Sequence, residues 1–172
     1  MQRHRVSSLG LRGAAALFLC AACGGRVAPA DIAGTYAVTV TNGDDTCGFA
    51  LWTPGESSTT TIRISENSLG EGSFDLGSGG GAFVGFFALD LGPTSYAIPS
   101  TVQGSTLTGT TQGESGNASG SCDYKINATV RVTVHGTDLE GTLTYVPVTN
   151  GDPSCGALSI CSQQQTLSGQ RQ

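Results

Sequence analysis

Residues 121 to 135 alternate between polar and apolar side chains without an exception. The apolar members are Cys122, Tyr124, Ile126, Ala128, Val130, Val132 and Val134. Because successive side chains of a strand point to opposite faces of a sheet, this pattern predicts a long antiparallel strand. One of its faces is expected to be buried and the other wet.

The same period of two appears elsewhere in the chain. Tyr36, Val38 and Val40 share one face of a predicted strand, and Leu139, Leu143 and Tyr145 continue the apolar face after a turn at Gly136. Further strands are predicted at Phe49–Trp52, Thr59–Glu66, Gly72–Leu76, Ala82–Leu91, Ser95–Ile98, Val102–Gly109 and Gln165–Arg171, with irregular connections at Gly77–Gly81 and Gln112–Gly120. Short strands separated by glycine-rich turns indicate an all-β fold. An up-and-down antiparallel β-barrel is expected because closure removes exposed edges, and a β-sandwich is the alternative.

The first 22 residues, Met1 to Ala22, have the features of a helical signal peptide. Arg3 and Arg5 form a positive start, and the apolar stretch that follows is far short of the roughly 20 residues that span a bilayer. The segment Leu19-Cys20-Ala21-Ala22 resembles a bacterial lipobox, although Cys20 stands where leucine is usual. The resemblance implies that Cys23 is lipidated. Ordinary secretion after Ala22 is the alternative.

The predicted organisation is therefore a signal peptide at 1–22, a lipidated tether at 23–32 and one domain at 33–172. Acyl chains on Cys23 would hold the mature chain to the cell envelope. By the usual sorting rule for such lipoproteins, the absence of aspartate after Cys23 implies the outer membrane. Three of the eight basic residues and none of the thirteen acidic ones precede Cys23, so the mature net charge is −8. That balance argues against nucleic acid as a partner.

Four cysteines remain in the predicted domain: Cys47, Cys122, Cys155 and Cys161. An even number in an exported chain predicts two disulfides, and three pairings are possible. If the first and last strands pair, all four cysteines lie at one end of the barrel. A zinc site is the alternative, but a close pair of cysteines of the knuckle type is missing from the spacing.

A short internal echo surrounds two of these cysteines. Thr41–Gly48 and Thr149–Gly156 share the pattern Thr-Asn-Gly-Asp-x-x-Cys-Gly. Asn-Gly favours turns with positive φ, so a repeated turn held by a cysteine is the favoured interpretation. The alternative is a calcium site that uses Asp44, Asp45 and Asp152.

Patterns that carry catalytic chemistry are scarce. His135 is the only histidine after the leader, and no Gly-x-Ser-x-Gly nucleophile pattern accompanies it. We therefore expect no enzyme activity, no resident metal and no cofactor. The remaining candidate site is an apolar pocket closed by Trp52, Phe83 and Phe87. The alternative, which we favour for the barrel interior, is that these aromatic side chains fill it as core.

The strand that opens with Gly34-Thr35-Tyr36, together with Arg171 near the end of the last strand, resembles the lipocalin/calycin arrangement. In that family an aromatic side chain packs beneath a basic residue at the barrel floor; here the aromatic is tyrosine. The resemblance implies a floor pair of Tyr36 and Arg171. The chain also resembles short bacterial lipoproteins of the myxobacterial type, in its Gly-Thr-Tyr start, its Asn-Gly and Cys-Gly loop and its final Gly-x-Arg.

These features predict a monomeric, membrane-anchored extracytoplasmic lipoprotein that binds a small apolar ligand. The alternative is an envelope accessory or hydrolase inhibitor that contacts a protein through its disulfide-bearing end.

Overall fold

A computed structural model describes residues 31–48, 52–77, 97–113, 115–118 and 120–172. Within these ranges the strands are β1 Gly34–Asn42, β2 Ser57–Glu66, β3 Glu71–Asp75, β4 Ala97–Gln103, β5 Thr106–Gln112, β6 Gly116–Asn117, β7 Asp123–His135, β8 Asp138–Thr149 and β9 Gln163–Arg171. A 3-10 segment occupies Pro153–Ser159. None of the described helical residues forms a segment long and apolar enough to cross a membrane.

Eight of these strands form a closed antiparallel barrel. Neighbours along the chain pair from β1 to β5 and from β7 to β9, while β1 pairs with β9 and β5 pairs with β7. Among the described strands, the two-residue β6 pairs with the beginning of β7 alone. The predicted barrel is therefore confirmed, including its first-to-last strand pairing, and the sandwich alternative is wrong because the sheet has no free edge between β5 and β7.

The β7–β8 hairpin is the longest ladder. Its register runs from Tyr124 opposite Thr149 to His135 opposite Asp138, with a two-residue turn in which Gly136 adopts φ +64°. From Ile126 to Val134 the even-numbered residues of β7 are buried. The alternation in the sequence thus predicted both the strand and the face that it buries.

One predicted strand is wrong. The stretch Val102–Gly109 contains the turn between β4 and β5, which Gly104 makes with φ +59°, and Gln103 lies opposite Thr106. Val102 and Leu107 both point inward although Leu107 lies five positions, an odd number, after Val102. That change of parity is the mark of a two-residue turn, because a continuous strand would place them on opposite faces.

Other expectations differ in smaller ways. Gly116–Asn117 forms a short strand inside the connection that was expected to be irregular. Trp52 lies in a loop, and the other residues of its predicted strand are outside the described residues. The predicted strand Ala82–Leu91 and the leader with Cys23 also lie outside them.

The barrel has two distinct ends. At the end that we call the floor, β1 begins and β9 ends; at the end that we call the disulfide rim, β1 ends and β9 begins. Most inward side chains of the long strands are buried, and the bulkiest fully buried ones are Tyr36, Tyr145 and Phe74. Apolar residues fill the middle and floor, whereas the polar buried side chains Asn42, Gln163 and Gln165 lie at the rim.

Candidate functional site at the disulfide rim

Two disulfides lie at the rim, as the sequence predicted. Cys47 bonds to Cys161 and Cys122 bonds to Cys155, with Cα atoms 5.2 and 4.9 Å apart. The strand register explains this choice among the three pairings. Pairing of β1 with β9 brings the chain after β1 beside the chain before β9, and pairing of β7 with β8 does the same for Cys122 and Cys155.

The repeated loops carry these cysteines. The glycine after each cysteine has a positive φ, +71° at Gly48 and +48° at Gly156. The glycines of the two Asn-Gly steps differ. Gly151 has φ +80°. Gly43 instead lies against the backbone of Gln164, and its amide donates a hydrogen bond to the Gln164 carbonyl. The loops are therefore alike around the cysteines and unlike at the Asn-Gly step.

Two of the three aspartates proposed as calcium ligands, Asp45 and Asp152, hold these loops. Asp45 Oδ1 accepts hydrogen bonds from the Gly48 amide, at 2.7 Å, and from Gln163 Nε2. Asp152 caps the 3-10 segment by accepting from the amide of Ser154 at 2.8 Å. Among the described residues, no three His, Cys, Asp or Glu side chains gather in a way that would hold a metal ion.

Asp152 should make the folded state sensitive to acid. Hydrogen bonds from the Ser121 hydroxyl and then from Ser154 lower the pKa of its carboxyl below the ordinary 3.8. Its stabilising effect is therefore fully present above pH 3.8 and is lost as the pH falls through the lower folded-state pKa. We expect Asp152→Asn to destabilise the protein at pH 7 and to match the parent at the acid end of a pH series of thermal melts. A difference that stays constant with pH would contradict this account.

Inside the rim, polar side chains form a hydrogen-bonded group that we call the amide–tyrosine cluster: Asn42, Tyr145 and Gln165. The Tyr145 hydroxyl donates to Gln165 Oε1 at 2.8 Å, and Gln165 Nε2 donates to Asn42 Oδ1 at 2.7 Å. Asn42 Nδ2 in turn donates to the Thr53 carbonyl at 3.1 Å. Burial raises the pKa of Tyr145 well above its usual value, so this hydroxyl stays a neutral donor.

Trp52 lies beside this cluster. Its ring meets the Tyr145 ring edge-on, with centroids 6.1 Å apart and planes at 85°, and its Nε1 donates to the Gly43 carbonyl at 2.8 Å. The side chain is only 6% exposed. Of the predicted pocket residues, the structure therefore places Trp52 at the rim, while Phe83 and Phe87 lie outside the described residues.

Gln163 is the fourth buried polar residue at the rim. Its side chain is 1% exposed, and its Nε2 donates to Asp45. Its Oε1 is buried without a hydrogen-bond partner within the described structure. Buried amide oxygens are rarely left unpaired, so this atom is an open acceptor at the inner surface of the rim.

At the opposite end, Tyr36 and Arg171 meet on the barrel floor. Arg171 Nη2 donates to the Tyr36 hydroxyl at 2.9 Å and to the Asp31 carbonyl at 2.7 Å, and its guanidinium carbon lies 5.5 Å from the centre of the Tyr36 ring. The Tyr36 hydroxyl donates to the Ile32 carbonyl at 2.7 Å. These contacts fasten the chain before β1 across the floor and close that end of the interior.

The outer wall of the barrel has shallow depressions and a few exposed apolar side chains. Two depressions, of about 540 and 390 Å³, flank the outward-pointing Arg131 and are lined mainly by threonines and other outward polar groups. His135 is exposed at the β7–β8 turn, on the margin of the larger one. Three exposed apolar side chains, Val146, Val148 and Ile160, lie on β8 and just after the 3-10 segment.

No protein-family model matches the sequence, and no curated protein does. A solved structure of EF1p2_mFAP2b bound to DFHBI is similar to the chain at 18% identity and a TM-score of 0.41, over 81% of this chain and 93% of that one.

Proposed function

We propose that this protein binds a small, largely apolar molecule at the disulfide rim, without catalysing a reaction. The observation that carries the proposal is the placement of Trp52 and the amide–tyrosine cluster together at one end of an otherwise apolar barrel. Sites for small molecules are typically apolar and aromatic surfaces with a few converging polar groups that orient the ligand. The rim has this composition, and the floor is closed by Tyr36 and Arg171.

The proposal includes an anchor at the other end of the barrel. With lipid on Cys23, the eight residues to Asp31 reach at most about 28 Å when fully extended. Asp31 is held at the floor by Arg171. A monomer tethered to the outer membrane in this way turns its floor toward the lipid and its disulfide rim away from it, where a ligand has free access.

Trp52 is the only tryptophan of the chain, so it reports on the rim alone. The test is a titration of the oxidised mature protein with N-phenyl-naphthylamine, a neutral apolar dye that accepts excitation energy from tryptophan. We expect saturable energy transfer from Trp52 with a dissociation constant on the order of micromolar. In Trp52→Phe the energy transfer should disappear, and direct excitation of the dye measures how much binding the loss of the indole costs.

A matched pair of variants on β2 locates the dye. Ser58 is half-buried on the inward face near the rim, opposite Val40, and its neighbour Ser57 is exposed on the outer wall. Ser58→Leu should weaken binding about tenfold by filling the space that the dye uses, while Ser57→Leu should leave it unchanged. Absence of saturable binding, or equal effects of the two substitutions, would refute the proposal.

A role as an envelope accessory that binds a protein is the second candidate. It is favoured by the exposure of Val146, Val148 and Ile160, which are 40%, 48% and 91% exposed beside the rim. Exposed apolar groups that cluster are typical of contact surfaces. Val148→Lys separates the two functions, because it should abolish a protein contact and leave the dye titration unchanged.

A further inference from the structure

The open acceptor at the rim specifies the polar head of the ligand. Hydrogen bonding fixes which end of the Gln163 amide faces Asp45. A carboxylate only accepts hydrogen bonds, so Nε2 is the amide atom that points toward Asp45. Asp45 itself is held by the Gly48 amide at 2.7 Å. Oε1 is consequently turned away from Asp45, buried and unpaired within the described structure.

Among the described residues, the donors of the amide–tyrosine cluster and of Trp52 already have acceptors. The Tyr145 hydroxyl donates to Gln165 Oε1, Gln165 Nε2 to Asn42 Oδ1, and Asn42 Nδ2 to the Thr53 carbonyl. The Trp52 Nε1 donates to the Gly43 carbonyl. Gln163 Oε1 can be satisfied by a ligand that brings its own O–H or N–H.

The negative charge at the rim also favours a ligand whose head donates a hydrogen bond over one with a carboxylate head. Asp45 hydrogen-bonds to Gln163, and Asp44 precedes it in the same loop. A carboxylate head would meet both the lone pairs of Oε1 and the negative charge of Asp45, and neither interaction is favourable.

We propose that the ligand is an amphiphile whose head donates a hydrogen bond to Gln163 Oε1, through a hydroxyl, an amide N–H or an ammonium group. Carboxylate heads on the same chain are rejected. The inference rests on the proposed function, because it concerns the same rim site.

The experiment compares dodecanol, dodecylamine and dodecanoate as competitors of N-phenyl-naphthylamine at pH 7, each below its micelle concentration. These compounds share an alkyl chain and differ in the head. We expect dodecanol and dodecylamine to displace the dye at concentrations at least about tenfold lower than dodecanoate. Dodecanoate that competes equally well would overturn the head-group inference and leave the proposed function intact. Failure of all three, with no dye bound, would overturn both.

Two variants assign the preference to Gln163. Gln163→Leu should bring the three competitors within about threefold of each other, whereas Gln164→Leu, at the exposed next position of β9, should keep the tenfold preference. Asp45→Asn removes the charge and frees the Gln163 amide to turn, so dodecanoate should gain affinity even if Gln163→Leu does not fold. An unchanged preference in Asp45→Asn and Gln163→Leu would contradict the inference.

Discussion

Replacing Cys47 and Cys161 together with alanine should lower the free energy of unfolding by about 4–5 kcal/mol. The bond closes a sequence separation of 114 residues and joins the chain after β1 to the chain before β9. In the loop-entropy model a longer closed loop restricts the unfolded chain more strongly, which gives the larger stabilisation. The measurement is urea unfolding followed by circular dichroism.

The matched control is the double replacement of Cys122 and Cys155. That bridge closes a separation of only 33 residues, so its loss should cost about 1 kcal/mol less than the loss of the first. Each double variant removes one disulfide and places two alanines at the rim, so the two differ only in which bridge is lost. Equal losses, or a larger loss for the shorter loop, would show that native contacts at the rim outweigh chain entropy.

Tyr36→Ala should destabilise the barrel by about 4 kcal/mol, because it empties the largest fully buried side chain of the floor. It also leaves the Ile32 carbonyl and the Arg171 guanidinium without their hydroxyl partner. Tyr36→Phe keeps the ring and removes only the hydrogen bonds of the hydroxyl, two of which come from the charged guanidinium of Arg171. We expect it to lose about 2 kcal/mol.

Tyr124→Phe serves as the control for the hydroxyl. Tyr124 is half-buried on β7, away from the floor, and its replacement should change stability by no more than about 0.5 kcal/mol. If Tyr36→Phe and Tyr124→Phe lowered the stability equally in the same thermal melts, the hydrogen bonds of the Tyr36 hydroxyl at the floor would contribute nothing measurable to the stability of the barrel.

The fold could be predicted from the sequence because burial in a one-layer barrel imposes a period of two on every strand. The alternation around Val130 shows the inward face directly. At Val102–Gly109 the alternation is misleading, because threonines and a glycine extend the pattern through a tight turn. Only the parity change between Val102 and Leu107 reveals the turn.

The rim site was harder to predict. Gln163, Gln164 and Gln165 are identical in the sequence, yet two are buried in the rim and the middle one faces water. Their roles depend on the β1–β9 register, which places Gln165 opposite Asn42. The position of Trp52 depends likewise on contact with Tyr145, more than 90 residues away in the chain. The sequence marks Trp52 as an aromatic candidate, but no local pattern marks its polar neighbours.

The disulfide pairing likewise could be predicted from the sequence only in part. Topology placed all four cysteines at one end, but it left three pairings open because every partner lies at that end. The register of β1 with β9 brings Cys47 to Cys161, and that of β7 with β8 brings Cys122 to Cys155. Long-range register, rather than local composition, therefore decides both the bridges and the site.

Amide hydrogen exchange of the oxidised protein with and without bound N-phenyl-naphthylamine tests the central claim most directly. Binding at the rim predicts slower exchange in the chain around Asn42 and around Gln163–Gln165, with no change at Tyr36 or Arg171 on the floor. Slower exchange at the floor or around Arg131 on the outer wall, or no change anywhere, would contradict a ligand site at the disulfide rim.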